Sequence, residues 1–131
     1  MPNETNTRKN DALPEELAKR SVCYLTTTGR VSGDPHEIEI WFAARDGKIY
    51  ILSGGRDRSD WVKNIAKTPS VRVRIDDQTF SGVGRIVAAG EPDDRIAREA
   101  LMAKYYGWRE GQPLNNWATT ALPVAIRLDG A

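Results

Sequence analysis

The sequence has little of the reactive side-chain chemistry that hydrolytic or metal-dependent enzymes carry. It contains one cysteine, Cys23, and one histidine, His36, among 131 residues. A single cysteine cannot form an internal disulfide, which fits a reducing cytoplasm. Cys23 stands in an apolar stretch, so we expect it to be a buried core residue rather than a nucleophile. A catalytic cysteine would need a histidine base, for which His36 is the sole candidate and a weak one, and we expect no metal site, because the sequence shows no cluster of metal-binding residues.

Excess charge and long apolar runs are also missing. Charged residues make up 28% of the chain and the formal net charge is +1, without a block of Lys or Arg, which argues against a nucleic-acid partner. No apolar run approaches the ~18 residues of a transmembrane helix. Residues 1–12 are polar, have no signal-peptide core and are predicted to be a disordered tail. We expect residues 13–131 to form one domain.

Short β-type stretches dominate the rest of the chain. Helices are predicted at "LPEELAKRS", after Ser59 and at "EPDDRIAREALMAKYYGW". Consecutive hairpins favour an antiparallel sheet that closes on itself to hide its edges. The predicted fold class is therefore mainly β (α+β), a six- to seven-stranded antiparallel split β-barrel with short flanking helices. The predicted strands are "VCYLTTT", "HEIEIWFAA", "KIYILS", "SVRVRID", "TFSGVGRIVAAG" and "LPVAIRL".

Alternation within the strands predicts which side chains are buried. Gly82 and Gly84 lie two apart on one strand face, which predicts a bend or a close approach by another element. In "SVRVRID" the predicted buried residues are Val71, Val73 and Ile75. In "HEIEIWFAA" we expect Glu37, Glu39 and Trp41 on one face and His36, Ile38, Ile40 and Phe42 on the other.

The loop "TTTGRVSGDP" is one candidate anion site. Gly29 and Gly33 allow backbone N–H groups to converge on an anion, and Arg30 adds a forked donor suited to a phosphate. Thr27, Thr28 and Ser32 add hydroxyl donors. The alternative is a solvated surface hairpin. The segment is not a P-loop, because the Gly-Lys-Ser/Thr ending is absent.

The segment "SGGRDRSDWVKN" is the second candidate anion site. A Gly-Gly pair ends a strand, Arg56 and Arg58 follow, and the first turn of a helix offers N–H groups that have no partner within the helix. Asn64 lies one turn after Asp60 and Trp61, on the same side of that helix. The alternative is a charged loop with an ordinary helix cap.

Carboxylates and aromatic residues provide two further candidates. Glu37 and Glu39 on one strand face suggest general acid/base chemistry, or else a solvent face or a subunit contact. The aromatic residues of "KYYGW" and Trp117 could cap a pocket or cover the core.

The order of these segments resembles the deazaflavin-dependent nitroreductase family. The resemblance rests on Thr-Thr-x-Gly-Arg-x-Ser-Gly, followed about thirty residues later by Trp-x-x-Asn and then Pro-x-Val, and it covers residues 22–76 well. That family belongs to the flavin- and deazaflavin-binding split β-barrels related to pyridoxamine phosphate oxidase.

The resemblance implies a homodimer that binds coenzyme F420 and transfers a hydride to a small acceptor such as a quinone, nitro compound or activated alkene. It places the cofactor's phosphate or tail at Arg30 and Ser32, and a substrate contact at Tyr105 or Tyr106. The cofactor carries the chemistry, so no catalytic side chain is required. The full set of implied cofactor-binding residues is Arg30, Ser32, His36, Ile38, Ile40, Trp41, Leu52, Ser53, Gly54, Gly55, Asp60, Trp61 and Asn64.

Two alternatives share the same fold. One is an oxidoreductase that uses FMN, with its phosphate on Arg30 or on Arg56 and Arg58. The other is a non-enzymatic carrier of a flavin, haem or lipid.

Overall fold

The computed structural model describes residues 13–129, so the tail predicted for residues 1–12 lies outside the described residues. Four α-helices and one short 3₁₀ helix accompany the strands: α1 (Glu15–Ala18), the 3₁₀ helix (Arg56–Arg58), α2 (Asp60–Lys67), α3 (Pro92–Tyr106) and α4 (Asn116–Thr120). The strands are β1 (Cys23–Thr28), β2 (Pro35–Ile40), β3 (Ala43–Arg45), β4 (Lys48–Ser53), β5 (Ser70–Ile75), β6 (Gln78–Ile86) and β7 (Leu122–Leu128).

The seven strands form one antiparallel sheet in the order β2-β1-β5-β6-β7-β4-β3. Strands β2 and β3 are the two edges of this sheet, yet only Trp41 and Phe42 separate them in the chain. Three Cα–Cα steps span at most about 11 Å, so the sheet must curl until its edges come close together. The result is a half-barrel, which confirms the predicted fold class.

The prediction of one continuous strand over residues 36–44 was wrong, because the chain leaves the sheet at Trp41 and Phe42. The backbone of Phe42 bonds to helix α3 instead of to a neighbouring strand. Its N–H donates to Tyr105 Oη at 3.0 Å, and its carbonyl accepts from Lys104 Nζ at 2.9 Å. Period-two alternation continues through such a crossing, so the pattern alone could not reveal it.

The core lies on both faces of the curled sheet. Inside, residues such as Leu25, Ile51 and Ile126 pack together with α2. Outside, α3 and α4 cover β4 and β7 through a second cluster that includes Tyr50 and Leu101. The predicted burial of Val71, Val73 and Ile75 is confirmed.

The close approach predicted at Gly82 and Gly84 is confirmed. A Cβ at Gly84 would lie 3.2 Å from Ile65 Cγ2 on α2, and a Cβ at Gly82 would lie 2.9 Å from the carbonyl oxygen of Arg127. These glycines let α2 and β7 lie directly against β6. Helix α2 in turn forms one wall of the groove described below.

A buried carboxylate fixes the start of α3. Asp93 accepts hydrogen bonds from Tyr50 Oη at 2.8 Å, Lys48 Nζ at 3.1 Å and Arg85 Nη2 at 2.7 Å. Burial acts to raise the pKa of Asp93, but the hydrogen bonds from Tyr50 and Lys48 and the nearby cations hold it below its usual value. The helix is thereby tied to β4 and β6.

Helix α4 was not predicted, because its segment reads as a polar loop. The signal was Asn115, whose side chain accepts from Ala118 N and caps the helix. Within residues 13–129, every helix is too short or too polar to cross a bilayer.

Candidate functional site

A groove of about 510 Å³ lies between the β1–β2 loop, strand β2 and the start of α2. We call it the Arg30 groove. Its lining includes seven of the predicted cofactor-binding residues: Arg30, Ser32, His36, Ile38, Asp60, Trp61 and Asn64. Thr27, Gly29, Val31 and Glu37 complete the lining.

Arg30 is held in place by α2. Its backbone N–H and its Nη1 both donate to Asn64 Oδ1, at 3.1 and 3.0 Å, and its Nη2 donates to Asp60 Oδ1 at 3.1 Å. Lys67 Nζ donates to the Arg30 carbonyl at 2.9 Å. The side chain of Arg30 remains 32% exposed, so its guanidinium can still meet a ligand. The loop is braced against a helix, unlike a freely solvated hairpin.

Asn64 is the brace beneath this loop. It is 3% exposed, and its Nδ2 donates to the hydroxyl of Thr27 at 3.0 Å while its Oδ1 accepts from Arg30. Both ends of its amide are therefore occupied by the chain itself. The geometry makes Asn64 a residue that positions Arg30.

The loop is shaped by two glycines. Gly29 N donates to Asp34 O at 2.7 Å, and Gly33 N donates to Gly29 O at 2.9 Å, with Gly33 at a φ of +82°. A Cβ at Gly29 would lie 2.7 Å from Nε2 of His36, so glycine permits that close approach. Val31 is 93% exposed at the rim of the groove.

The turn from β4 to α2 lies behind the groove. Ser53 is buried, and its hydroxyl bonds to the Arg56 carbonyl and to the Ser59 hydroxyl, both at 2.9 Å. A Cβ at Gly55 would lie 2.6 Å from Ser59 Oγ, so a side chain there would displace the Ser59 hydroxyl from its bond to Ser53. Ser53 and Gly55 set the direction of α2 and are not among the groove's lining residues.

The two arginines of the second predicted anion segment lie away from the Arg30 groove. Arg56 Nη1 donates to the carbonyl of Thr120 in α4. Neither Arg56 nor Arg58 is among the lining residues. Arg30 is therefore the residue that supplies positive charge to the lining of the groove.

A second groove of about 410 Å³ follows the far end of β2. We call it the aromatic groove. It contains Ile40, Trp41 and Leu52 of the predicted cofactor set and Tyr106 of the predicted substrate pair. Its full lining is Glu39, Ile40, Trp41, Leu52, Tyr106 and Trp117. Gly54 lies just behind it, where a Cβ would come 4.0 Å from Trp117.

Stacking fixes the floor of the aromatic groove. The rings of Trp41 and Tyr105 are parallel within 9°, with centroids 4.2 Å apart. Trp117 stands edge-on to Trp41 at 5.7 Å, and Tyr106 is tilted by 57° at 6.3 Å. Trp41 thus forms the flat floor of a pocket, and Tyr106 and Trp117 form its two walls.

The two candidate substrate tyrosines have different environments. The hydroxyl of Tyr105 accepts from Phe42 N at 3.0 Å and donates to Ser21 O at 2.7 Å, and burial raises its pKa. Tyr106 is 55% exposed in the groove. Tyr105 therefore supports Trp41 from below, whereas Tyr106 can meet a ligand.

The two glutamates of β2 are exposed, and each lines one groove: Glu37 the Arg30 groove and Glu39 the aromatic groove. Glu37 pairs with Arg74 at 3.6 Å. Glu39 accepts from the hydroxyl of Tyr24 at 3.1 Å, and this hydrogen bond raises the pKa of Tyr24. Arg74 lies 4.2 Å above the Tyr24 ring. Among residues 13–129, Glu39 has no basic side chain within ion-pair distance.

The two grooves follow one edge strand from end to end. Residues 36–38 line the Arg30 groove and residues 39–41 line the aromatic groove. A strand of six residues is about 20 Å long, long enough for a ligand with an anionic end and a ring end. Thr27, Gly29, Glu39 and Trp117 also line the grooves; the sequence marked each of them as a candidate, although none is in the cofactor set that the resemblance implies.

Cys23 takes no part in either groove. It is fully buried in the inner core, and burial raises the pKa of its thiol to about 12. The prediction that it is a core residue is confirmed.

Comparison with known proteins gives one family and one fold. A family model described as F420H(2)-dependent quinone reductase matches residues 3–129. A solved F420-H2 dependent reductase is 20% identical, with a TM-score of 0.63 over 84% of this chain and 95% of that chain. A 5-nitroimidazole antibiotic resistance protein from Bacteroides thetaiotaomicron is 12% identical, with a TM-score of 0.69 over 88% of this chain and 77% of that chain.

The heme-storage protein of Vibrio cholerae has the same fold. It is 16% identical, with a TM-score of 0.62 over 99% of this chain and 89% of that chain. At these identities, all three structures show a shared fold and nothing more.

Proposed function

We propose a function from the premise that this chain belongs to the F420H(2)-dependent quinone reductase family. Members of the family are oxidoreductases, and their cofactor is coenzyme F420. Our proposal concerns which residues hold that cofactor, which acceptors are reduced, and how the chain assembles. The acceptors are small quinones, nitro compounds or activated alkenes.

The residues present fit the two ends of the cofactor. The single observation that carries the proposal is the continuity of the Arg30 groove and the aromatic groove along β2. Arg30 and Ser32 would hold the phosphate or tail, and His36, Ile38 and Ile40 would lie along the middle. The ring would lie toward Trp41 and Leu52, backed by Ser53, Gly54 and Gly55, with Asp60, Trp61 and Asn64 closing the groove at the start of α2.

The bound cofactor supplies a hydride, and the chain supplies position and shielding. Arg30 orients the anionic end through charge-assisted hydrogen bonds, and Asn64 keeps Arg30 in place. Trp41 and Trp117 exclude water around the ring and the acceptor. Of the two candidate tyrosines, Tyr106 would contact the acceptor, because the hydroxyl of Tyr105 is engaged by backbone atoms.

Binding and turnover test the proposal. Titration with oxidised F420 and with FMN can be followed by tryptophan fluorescence, because Trp41, Trp61 and Trp117 line the grooves. Reduced F420 should be oxidised when a quinone or nitroaromatic is added. Tight binding without oxidation would favour the carrier function, and binding of FMN alone would contradict the assignment of F420 at this site.

Two variants with opposite expected effects test the anionic end. Arg30→Ala should weaken F420 binding by about 1.5–3 kcal/mol, the usual range for a hydrogen bond to a charged group. Asp60→Asn should strengthen it, because the Asp60 carboxylate now competes for Arg30 at 3.1 Å. Arg95→Ala is the matched control, since Arg95 lies exposed on α3 and pairs with Glu99. Equal affinities in all three variants would contradict the placement.

We also propose a homodimer of one split-barrel domain over residues 13–131. Val83 is 36% exposed on β6 and offers an apolar contact on one face of the sheet. Sedimentation velocity of the full chain tests this, and a monomer at all concentrations would contradict it. A cytoplasmic location is proposed because the single cysteine is free and buried, as suits a reducing compartment.

A further inference from the structure

The aromatic groove has the shape of a slot for a flat molecule. One face of the Trp41 ring is covered by Tyr105, yet Trp41 remains 41% exposed. Trp117 and Tyr106 stand at 86° and 57° to Trp41 and form walls. Aromatic faces of this kind favour offset-stacked and edge contacts with planar rings. The floor is rigid because the Tyr105 hydroxyl is bonded to backbone atoms.

The charge at the rim of this slot comes from Glu39. Its neighbour on the same strand face, Glu37, has its charge balanced by Arg74 at 3.6 Å. Glu39 has only the neutral hydroxyl of Tyr24, at 3.1 Å. Within the part of the chain that the structure describes, Glu39 is the one charged side chain that lines the aromatic groove. A ligand in the slot therefore lies beside a carboxylate that forms no ion pair within the described residues, since the nearby Arg74, which lies 4.2 Å above the Tyr24 ring, is paired with Glu37.

We infer that Glu39 determines the charge of the acceptor, so that the aromatic groove takes planar neutral or cationic ring systems and discriminates against anionic ones. The inference rests on the proposed function, which identifies the ligand of this groove as the hydride acceptor. The binding preference itself can be measured without turnover. A unit charge about 7 Å from a partly solvated carboxylate changes affinity by about three- to fivefold at low ionic strength. The ratio between a cation and an anion of the same shape is then about 10- to 25-fold.

Three naphthoquinones of matched shape test the inference: the unsubstituted 1,4-naphthoquinone, a sulfonated derivative and a trimethylammonium derivative. Equilibrium dialysis of the full-length protein gives each dissociation constant, with and without saturating oxidised F420. The wild-type protein should bind the cation most tightly and the sulfonate most weakly. The Glu39→Gln variant should bring the cation-to-anion ratio within about twofold of unity.

Two further variants separate charge from shape. Glu37→Gln removes the same charge from the same strand at a position that lines the other groove, and because it also frees Arg74 it should lower the ratio in part, but less than Glu39→Gln does. Trp41→Leu removes the floor and should weaken all three quinones by a similar factor. High salt should reduce the ratio in the wild-type protein, because the interaction is between exposed charges.

Two results would overturn the inference. Equal binding of the three quinones by the wild-type protein, with and without F420, is one. A Glu37→Gln variant that reduces the ratio as much as Glu39→Gln is another, because the preference would then come from the general field of the strand. Failure of the proposed function has a separate signature, namely that F420 itself does not bind while the ranking of the three quinones persists.

Discussion

Replacing Asn64 by alanine tests whether a buried amide builds the anion-binding loop. The substitution removes three hydrogen bonds: one to the Thr27 hydroxyl and two from Arg30, through its backbone N–H and its Nη1. Thr27 is 2% exposed, so its hydroxyl cannot easily replace the lost hydrogen bond with one to water. Each neutral hydrogen bond contributes about 1 kcal/mol and the charged one about 1.5–3 kcal/mol. Alanine recovers about 0.5 kcal/mol as a better helix former.

The expected net loss is about 2–4 kcal/mol of unfolding free energy, because Arg30 can partly rebond to water. With a urea dependence of about 2 kcal/mol/M, the unfolding midpoint should fall by about 1–2 M. Tryptophan fluorescence measures it, at a fixed protein concentration so that any dimer affects all variants equally. F420 affinity should fall too, although Arg30 itself is unchanged.

Asn116→Ala is the matched control for this experiment. Asn116 lies exposed on α4, so its loss should change stability by no more than about 0.5 kcal/mol. Asn64→Asp should lie between the two, because a carboxylate can still accept from Arg30 but cannot donate to Thr27. A midpoint for Asn64→Ala within error of Asn116→Ala would refute the view that α2 braces the loop.

The remaining predictions concern the packing around β6 and the closure of the barrel. Gly82→Ala should destabilise the protein by about 1–3 kcal/mol in the same urea assay, and Gly84→Ala by less, because the new Cβ meets a backbone carbonyl at 2.9 Å in the first case and the Ile65 side chain at 3.2 Å in the second; the reverse order would contradict the described packing. Burial lowers the pKa of Lys104 to about 8, so the folded protein binds fewer protons at this site than the unfolded chain. Wild-type stability should therefore rise relative to Lys104→Met as pH goes from about 8 to 10, measured as the difference in Tm, and a difference that stays constant would contradict it.

Much of the fold could be predicted from the sequence because local patterns and tertiary packing agree there. The alternation of Val71, Val73 and Ile75 predicts which face of β5 is buried, and the Gly82–Gly84 pair predicts a bend or a close approach by another element, which is β7 at Gly82 and α2 at Gly84. The break at Trp41 and Phe42 could not be predicted, because it depends on hydrogen bonds from residues sixty positions away in the chain. Alternation carries no information about such partners.

For the candidate site, the sequence indicates the composition of the Arg30 groove better than the roles within it. Glycines and an arginine predict an anion site, but the use of Asn64 as a brace depends on the orientation of α2 over the loop. The aromatic groove depends on residues far apart in the chain, from Trp41 to Trp117. No spacing rule connects them, since the curl of the sheet and the packing of α4 bring them together.

The crossing at Trp41 and Phe42 constrains how such a protein can evolve. These two residues carry the chain between the edges of the sheet, and one of them, Trp41, also supplies the floor of the acceptor slot. A change at Trp41 or at its support Tyr105 therefore risks the closure of the barrel as well as the choice of acceptor. Diversification toward new acceptors would accordingly concentrate at Glu39, Tyr106 and Trp117, whose side chains shape the slot without holding the sheet's edges together.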